Sequence, residues 1–409
     1  MKRISFLACG TLLACAIGGT ASAATAATPT ATVTATPATA VKAPIPIKVS
    51  VNGKPVEFGD GLFVDRGKAY VDYEALFEAL GYETRYDATT KTIRANTEDA
   101  VVAVPVGGEQ AFANGGLLAS AGESIERNGR AMVGVRFAGK LTNFGVEWDG
   151  KTKTISLVYQ GPTAEQKAAV YDVFNRLQLL EAAADGNGLV ALFAEDASID
   201  REQVKKTWSS AKTKTTYEAK YLESYSDTVA IVALIENTTK ISGGFFPDNR
   251  SETRYTLHKA KDGSWKIYDV EVSYVQYTNL PGLFKQTADV PEAEKATIGA
   301  AFENQVKAFN AKDADGYIAT LSEVADKDAL KASLTELFQN GSIKATVEQW
   351  AVVEYDGSSH AKLLVSLLSE SDIGGVQSST RSILLNGVVK VEGKWLLDVD
   401  AVVLTDENL

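Results

Sequence analysis

Hydrophobic and polar residues alternate along most of this chain, and helical spacing is confined to a few stretches. A long helix is predicted where Val170, Phe174 and Leu177 recur at steps of three and four residues. Alternation with a period of two then predicts half-buried antiparallel strands at residues 217–225, 229–235, 253–259 and 265–272. The same order returns with a helix at 297–310 and strands at 345–355, 360–368, 381–391 and 395–404. The pattern therefore predicts an α+β fold.

Residues 47–160 contain one pattern twice, at a constant offset of 62 residues. The Asn-Gly pair at 52–53 returns at 114–115, and residues 90–93 return unchanged at 152–155. The register holds across 42 positions with ten identities, which indicates an internal duplication. In each copy a turn and strand precede a short helix, and a hairpin follows it, so each repeat is predicted to be β-α-β.

This repeated segment resembles the copper amine oxidase N-terminal-like domain, also called a stalk domain. The likeness rests on the Asn-Gly turn, the glycine-led strand at 129–133 and the Trp-Asp-x-x-Thr-Lys-Thr-Ile ending at 148–155. The resemblance implies an accessory envelope module in secreted proteins of Bacillus-type Gram-positive bacteria, and not the oxidase itself. Copper chemistry requires several histidine ligands, and residues 47–160 contain no histidine. We therefore expect no metal site and no cofactor.

Residues 161–287 and 288–409 form two further predicted domains, which share landmarks at an offset of 130 residues. The last strand of each follows a Gly-x-Trp sequence, at Trp265 and Trp395. A helix, a short helix and four strands in this order resemble the nuclear transport factor 2-like fold, with its curved sheet shaped as a cone. The resemblance implies two cone-like domains after the duplicated stalk-like domain. It does not settle function, because this fold serves enzymes and binding or assembly modules alike.

The N-terminus has the features of an export signal. Two basic residues precede an uncharged apolar stretch at 4–19, which is short for a membrane span, and a small-x-small pattern ends at Ala23. We interpret residues 1–23 as a signal peptide cleaved after Ala23, with a retained membrane anchor as the alternative. No other segment is long and apolar enough to span a bilayer, so no transmembrane span is expected in the mature chain.

A second alternative at the N-terminus is lipidation at Cys15, because residues 12–15 resemble a bacterial lipobox. Against it, the residues after Cys15 stay apolar up to the Ala-x-Ala site. Residues 24–46 are almost entirely Ala, Thr, Pro and Val, and they are predicted to form an extended linker. The expected location is secreted and extracellular, with association with the cell surface as a further option.

Composition excludes several classes of protein. Acidic residues outnumber basic ones by 52 to 41 and no basic block occurs, which argues against a nucleic-acid partner. Both cysteines, Cys9 and Cys15, lie within the predicted signal, so the mature chain is expected to have neither a disulfide nor a catalytic thiol. Of the net charge of −11, ten negative charges belong to residues 288–409, where 20 acids face 10 bases. Such a face is usually only solvated, although it can attract a basic partner.

Candidate catalytic residues are few. Only His258 and His360 could serve as histidine bases, and alternation places His258 on the polar face of its strand. Asp196 follows an apolar helical segment where cone-type enzymes often have a pocket entrance, but carboxylates at such places are also ordinary caps. Tryptophans such as Trp208 and Trp350 are interpreted as core residues rather than as a ligand cavity. We therefore predict no catalytic residue and no enzymatic activity.

One surface feature suggests binding. Phe245 and Phe246 follow two glycines at a predicted hairpin tip, where aromatic side chains are costly to expose. They are predicted to form a contact loop for a partner, and the alternative is that both fold back onto the sheet. The sequence thus predicts a non-enzymatic, envelope-associated binding or interaction module of a Gram-positive bacterium, with a cell-wall component or an envelope protein as partner. The rival prediction is an extracellular enzyme or small-molecule carrier that uses one cone cavity.

Overall fold

The computed structural model describes residues 47–114, 116–373 and 375–409. The predicted signal peptide, its cleavage site after Ala23, the alternative lipidation site Cys15 and the predicted linker lie outside the described residues. Among the helices that are described, none has both the length and the apolar character needed to cross a bilayer. The described chain is a mixed α and β structure with five sheets.

The first unit contains three of these sheets, two short α-helices and a 3-10 turn at Gly59–Gly61. Its strands are β1 (Lys48–Val51), β2 (Lys54–Val56), β3 (Leu62–Asp65), β4 (Lys68–Asp72), β5 (Glu83–Asp87), β6 (Thr92–Asn96), β7 (Val101–Pro105), β8 (Gln110–Ala113), β9 (Gly116–Ala119), β10 (Ser124–Arg127), β11 (Arg130–Gly134), β12 (Phe144–Asp149) and β13 (Thr154–Tyr159). Its helices are α1 (Tyr73–Ala79) and α2 (Val135–Thr142).

The elements of this unit recur at the offset of the sequence repeat. Strand β3 begins at residue 62 and β10 at 124, β4 begins at 68 and β11 at 130, and α1 begins at 73 and α2 at 135. The four strands β10-β11-β4-β3 form one sheet, in which β4 and β11 pair antiparallel with Val71 opposite Val133. Since these two valines occupy the same place in the two copies, a local two-fold axis passes between them.

The other two sheets differ by one strand. In β12-β13-β1-β2, strand β1 pairs directly and in parallel with β13, whereas in β5-β6-β7-β8-β9 the strand β7 lies between β6 and β8. The first strand of the unit is thereby held by its last, which ties the two ends of the unit together. Both sheets cover one core in which Val71, Phe77 and Val133 are completely buried.

The second and third units each consist of helices packed on one four-stranded antiparallel sheet. The second contains α3 (Ala164–Ala183), α4 (Gly186–Leu192), α5 (Arg201–Trp208), β14 (Ala211–Tyr225), β15 (Val229–Gly243), β16 (Asn249–Lys259), β17 (Trp265–Tyr277) and the short α6 (Leu280–Leu283). The third contains α7 (Glu292–Asn310), α8 (Ala314–Ile318), α9 (Lys327–Asn340), β18 (Gly341–Tyr355), β19 (His360–Ile373), β20 (Val376–Val391) and β21 (Lys394–Asn408).

Matched interactions show how similarly these two sheets are built. Glu218 and Glu348 each lie at a register shift in the first strand, and each binds an arginine of the third strand. The Nε–Oε2 distances are 2.9 Å for Arg250–Glu218 and 2.8 Å for Arg381–Glu348. At the other end of each sheet a tyrosine packs on the tryptophan of the last strand, with ring centroids 5.9 Å and 6.3 Å apart.

No glycine ends the long helix. Helix α3 ends at Ala183, its C-cap residue Ala184 has a left-handed conformation with φ 55°, and Gly186 is the first residue of α4. A Cβ atom at Gly186 would collide with the carbonyl oxygen of Lys205. The glycine is therefore needed for the close approach of α4 and α5, and not for stopping a helix.

Candidate functional site

The hairpin that carries Phe245 and Phe246 lies between the second and third units. Phe245 is only 8% exposed, and it belongs to a group of buried residues that we call the interface cluster. Its other members are Leu283, Ala351, Val353, Leu364, Ile383 and Leu404. Phe246 is half-buried, and the amide of Gln286 bonds both its backbone N–H and its carbonyl, at 3.1 Å and 3.0 Å. The predicted contact loop thus contacts the third unit of its own chain, and contact with another molecule stays a prediction.

A groove of about 1280 Å³ runs beside the interface cluster. One wall comes from the second unit, where α5, the start of β14 and the end of β15 meet, and includes Trp208. The facing wall comes from the third unit's sheet and includes Tyr355 and His360. Because both units contribute a wall, the groove depends on how the interface cluster holds them together.

Three lysines on the second-unit side of the groove lack an ion-pair partner among the described residues. They are Lys206, Lys240 and Lys285, and none of them forms an ion pair with any residue in the described part of the chain. Lys206 and Lys285 are exposed, while Lys240 is half-buried and donates from Nζ to Oε1 of Gln286 at 2.8 Å. Burial lowers the pKa of Lys240, and the neighbouring carboxylate of Asp248 opposes this only in part.

The carboxylates of the groove are already occupied. Glu354 forms an ion pair with Lys362, with Nζ of the lysine 3.0 Å from Oε2 of the glutamate. Asp356 accepts backbone N–H groups of residues 358–360 at 2.8–3.0 Å, and its other oxygen lies 3.1 Å from Nδ1 of His360. The backbone N–H of His360 contributes most to holding the pKa of Asp356 far below its usual range. Asp398 also lines the groove, and like Glu354 and Asp356 it belongs to the third unit, so the second-unit side of the lining has three lysines and no acidic residue, although the chain as a whole carries −11.

One buried hydroxyl of the groove has no partner. Thr213 lines the groove and is 2% exposed, and its Oγ1 finds no hydrogen-bond partner within the described residues. Thr215 lies two residues further along β14 on the same face of the sheet, and its Oγ1 donates to Oε2 of Glu181 at 2.6 Å. The polar side chains of Thr213, Thr215 and Glu181 thus form a row that runs from the groove into the interior of the second unit.

The inside of the second unit contains two buried carboxyl groups. Glu181 of α3 is 4% exposed and Glu236 of β15 is 6% exposed. Burial raises the pKa of Glu181 to about 7, and the hydrogen bond from Thr215 opposes this only in part. Burial likewise raises the pKa of Glu236, whose carboxylate accepts the hydroxyl of Tyr255 at 3.3 Å. We call Glu181, Thr215, Glu236 and Tyr255 the polar interior.

The third unit shows that this fold does not require the buried carboxyl groups. The long helices α3 and α7 match at an offset of 128 residues, at which the buried Phe174 of α3 corresponds to the buried Phe302 of α7. At this offset Phe309 takes the place that Glu181 has in the second unit. In the first strand pair, Tyr217 faces Glu236 in the second unit and Val347 faces Leu367 in the third. The two carboxyl groups are therefore particular to the second unit.

The residues weighed as catalytic candidates do not meet at one place. His258 stacks on Tyr268 with ring centroids 3.9 Å apart, and Asp196 is exposed. His360 lines the groove, where its ring is engaged by Asp356. Trp265 and Trp395 are buried at 4% and 7% exposure, as predicted for core residues, whereas Trp208 is half-buried in the groove wall.

Two family models match separate parts of the chain. The copper amine oxidase N-terminal domain matches residues 50–157, which confirms the resemblance drawn from the sequence repeat. The C-terminal domain of anti-sigma-I factor RsgI9 matches residues 193–278, within the second unit. This second similarity was not expected from the sequence. No curated protein was found to match the chain.

Solved structures with similarity to this chain have nuclear transport factor 2-like or cystatin-like folds and cover only a part of it. An NTF2-like protein of unknown function from Shewanella baltica is 16% identical, with a TM-score of 0.22, and covers 29% of this chain and 100% of its own. A ketosteroid isomerase-like protein from Erwinia carotovora atroseptica is 20% identical, with a TM-score of 0.22 and coverage of 26% and 92%. A cystatin-like protein of unknown function from Nostoc punctiforme is 12% identical, with a TM-score of 0.24 and coverage of 28% and 93%.

Proposed function

We propose that this chain is a secreted or cell-surface, non-enzymatic binding module of a Gram-positive bacterium, and that it binds its ligand in the groove between the second and third units. The observation that carries the proposal is the groove itself, about 1280 Å³ in volume, with three lysines that have no ion-pair partner in the described chain. Unsatisfied charge on a concave surface is what a ligand of opposite charge would complement.

The two family matches support an envelope or regulatory module. The first is named for the N-terminal domain of copper amine oxidase and the second for the C-terminal domain of an anti-sigma factor, which is a regulatory protein. We propose that the chain is divided into a signal peptide at 1–23, a linker at 24–46, a duplicated stalk-like domain at 47–160 and two cone-like domains at 161–287 and 288–409. The element offset in the first unit and the matched Glu–Arg pairs in the other two support this division.

Export of the chain is the first test. The full chain with a C-terminal epitope tag, expressed in a Gram-positive host, is expected in the medium and wall fractions with an N-terminus at Ala24, as read by mass spectrometry of the mature protein. A Cys15→Ser variant is expected to distribute in the same way. If the wild-type chain stays in the membrane fraction and the Cys15→Ser variant leaves it, then the chain is lipidated at Cys15 and is not cleaved after Ala23. Retention of the full-length chain in the cytoplasm would refute the proposed function.

The polar interior favours a second candidate, an enzyme or small-molecule carrier. A carboxyl group whose pKa is about 7 can act as acid or base near neutral pH. Such chemistry needs a substrate to reach the group, but Glu181 and Glu236 are nearly inaccessible and each is bonded within its own unit. For this reason we prefer binding in the groove to catalysis in the interior.

Carboxyl labelling separates the two candidates. We expect that the folded chain, treated with a water-soluble carbodiimide and glycinamide, is modified at the exposed Glu195 and not at Glu181 or Glu236, as read by peptide mass spectrometry. The same treatment in urea is the control that both buried groups can react. Modification of Glu181 in the folded chain, at a rate near that of Glu195, would show that the interior is open and would favour the enzyme or carrier.

A further inference from the structure

We infer that the groove between the second and third units binds a small polyanion, which is a molecule with several carboxylate or phosphate groups along its length. This inference rests on the proposed function and names the ligand class for the same site. The volume of about 1280 Å³ exceeds the roughly 300–1,000 Å³ of most small-molecule pockets, so the groove accommodates an extended ligand.

Charge is the first argument for an anion. Lys206, Lys240 and Lys285 come from α5, from β15 and from the segment after α6, so folding alone brings them to one wall. The acidic groups of the lining all lie on the third-unit side, where Glu354 is paired with Lys362 and Asp356 is bound by backbone N–H groups and His360. Asp398 on the far wall accepts the hydroxyl of Ser322 at 3.3 Å. A ligand with several negative charges would supply the missing partners.

The position of Lys240 is fixed before any ligand arrives. Gln286 accepts from Nζ of Lys240 at 2.8 Å, while the same amide is held by the backbone N–H and carbonyl of Phe246. Because Phe246 follows the buried Phe245, this chain of contacts anchors the ammonium group to the interface cluster. A charge that is ordered and half-desolvated beforehand loses little entropy on binding and interacts more strongly with an anion.

Thr213 adds a donor at the inner end of the groove. Its Oγ1 is buried and has no hydrogen-bond partner in the described chain. An unsatisfied buried hydroxyl destabilises the fold, and a hydrogen bond to an oxygen atom of a bound ligand would remove this penalty. Carboxylates and phosphates both offer such oxygens. Lysines act as point charges and do not select between these groups as a planar arginine fork does. The groove is therefore specific for negative charge along an extended molecule, and the source of the charge is a matter for experiment.

Titration of the full chain with two anions tests the inference. Isothermal calorimetry with tripolyphosphate and with tetraglutamate, and with tetraalanine as a neutral control, is expected to show binding of at least one anion and none of tetraalanine. The affinity should fall about fivefold or more between 50 mM and 200 mM NaCl, since salt screens exposed lysines. Binding of tripolyphosphate alone would identify phosphate as the source, binding of tetraglutamate alone would identify carboxylate, and binding of both would support recognition by charge.

Lysine variants locate the site. The Lys206→Gln/Lys240→Gln/Lys285→Gln variant is expected to bind the anion about tenfold or more weakly, which corresponds to about 1.4 kcal/mol. Lys261→Gln is the matched control, because Lys261 is an exposed lysine in the turn between β16 and β17 and does not line the groove. Unchanged affinity in the triple variant, or no anion binding by a chain that is exported normally, would overturn this inference alone. Failure of export would refute the proposed function whatever the titration shows.

Discussion

Raising the pH from about 5 to about 8.5 is expected to destabilise the second unit by about 3 kcal/mol, and Glu181→Gln is expected to remove most of this loss. The carboxyl group of Glu181 has a pKa of about 7 in the folded chain, against 4.5 for an unburied glutamate. The folded state therefore binds the proton more tightly than the unfolded state does. Its stabilising contribution is complete below pH 4.5 and is lost as the pH rises through about 7.

Glu236 is expected to act in the same direction, because burial also raises its pKa. A glutamine at 181 resembles the protonated glutamate in shape and can still accept the hydroxyl of Thr215. The variant should thus match the wild type near pH 5 and exceed it near pH 8.5. The third unit, with Phe309 at the matching helix position, should lack this dependence.

Calorimetric unfolding of the full chain across this pH range measures the effect. The control is Glu202→Gln, which removes one negative charge from an exposed position of α5 and should leave the pH dependence unchanged. Parallel pH curves for wild type and Glu181→Gln would contradict the raised pKa of Glu181.

Phe245→Ala is expected to uncouple the second and third units. Phe245 is 8% exposed and packs in an interface cluster made of residues from both units. Truncation of a buried phenylalanine to alanine typically costs about 3–5 kcal/mol, and a site at an interface belongs at the lower end of that range. Because each unit keeps its own core, the loss should fall on their association. The two units should then unfold in separate transitions.

Phe246→Ala provides the comparison, since its half-buried side chain neighbours Phe245 but is not part of the interface cluster. Calorimetry of both variants should show a large change for Phe245→Ala and a small one for Phe246→Ala. Anion binding should weaken in Phe245→Ala as well, because the groove needs both walls. A single transition at the wild-type temperature in Phe245→Ala would show that other contacts hold the units together.

Much of the first unit could be predicted because its special backbone positions leave a trace in the sequence. Asn52 and Gly53 both have positive φ, at 48° and 79°, and few residues other than Asn and Gly adopt such angles readily. The same constraint at Asn114 keeps the second turn recognisable. The 62-residue offset between matching residues therefore predicts the same offset between matching strands and helices, without knowledge of how the strands pair.

The long sheets were predicted too short, and for a physical reason. Beyond residue 235, β15 continues to Gly243, and most of its side chains there are half-buried or exposed, so hydrophobic alternation fades before the strand ends. Helix α5 was missed because it fully buries none of its residues and its apolar face consists of only Val204 and Trp208, both half-buried. Periodicity reports burial on one face, and two apolar residues in a short polar element are too few to show it.

Part of the candidate site could be predicted from the sequence and part could not. Glu181 was detectable, since it interrupts the apolar face of the long helix at a position that points into the core. The three lysines of the groove gave no signal, because they are 34 and 45 residues apart in the chain and are brought to one wall only by the folding of the second unit. Such long-range contacts depend on where strands end and how elements pack, which local patterns do not encode.

The ladder between Val71 and Val133 has the geometry of a homodimer interface within one chain. Each copy presents the same strand to the other, as in an isologous contact between two identical molecules. A polypeptide with only one repeat would offer that strand to a second polypeptide. Joining both repeats covalently makes this association independent of protein concentration. The first unit therefore behaves as a dimer that cannot dissociate at any dilution.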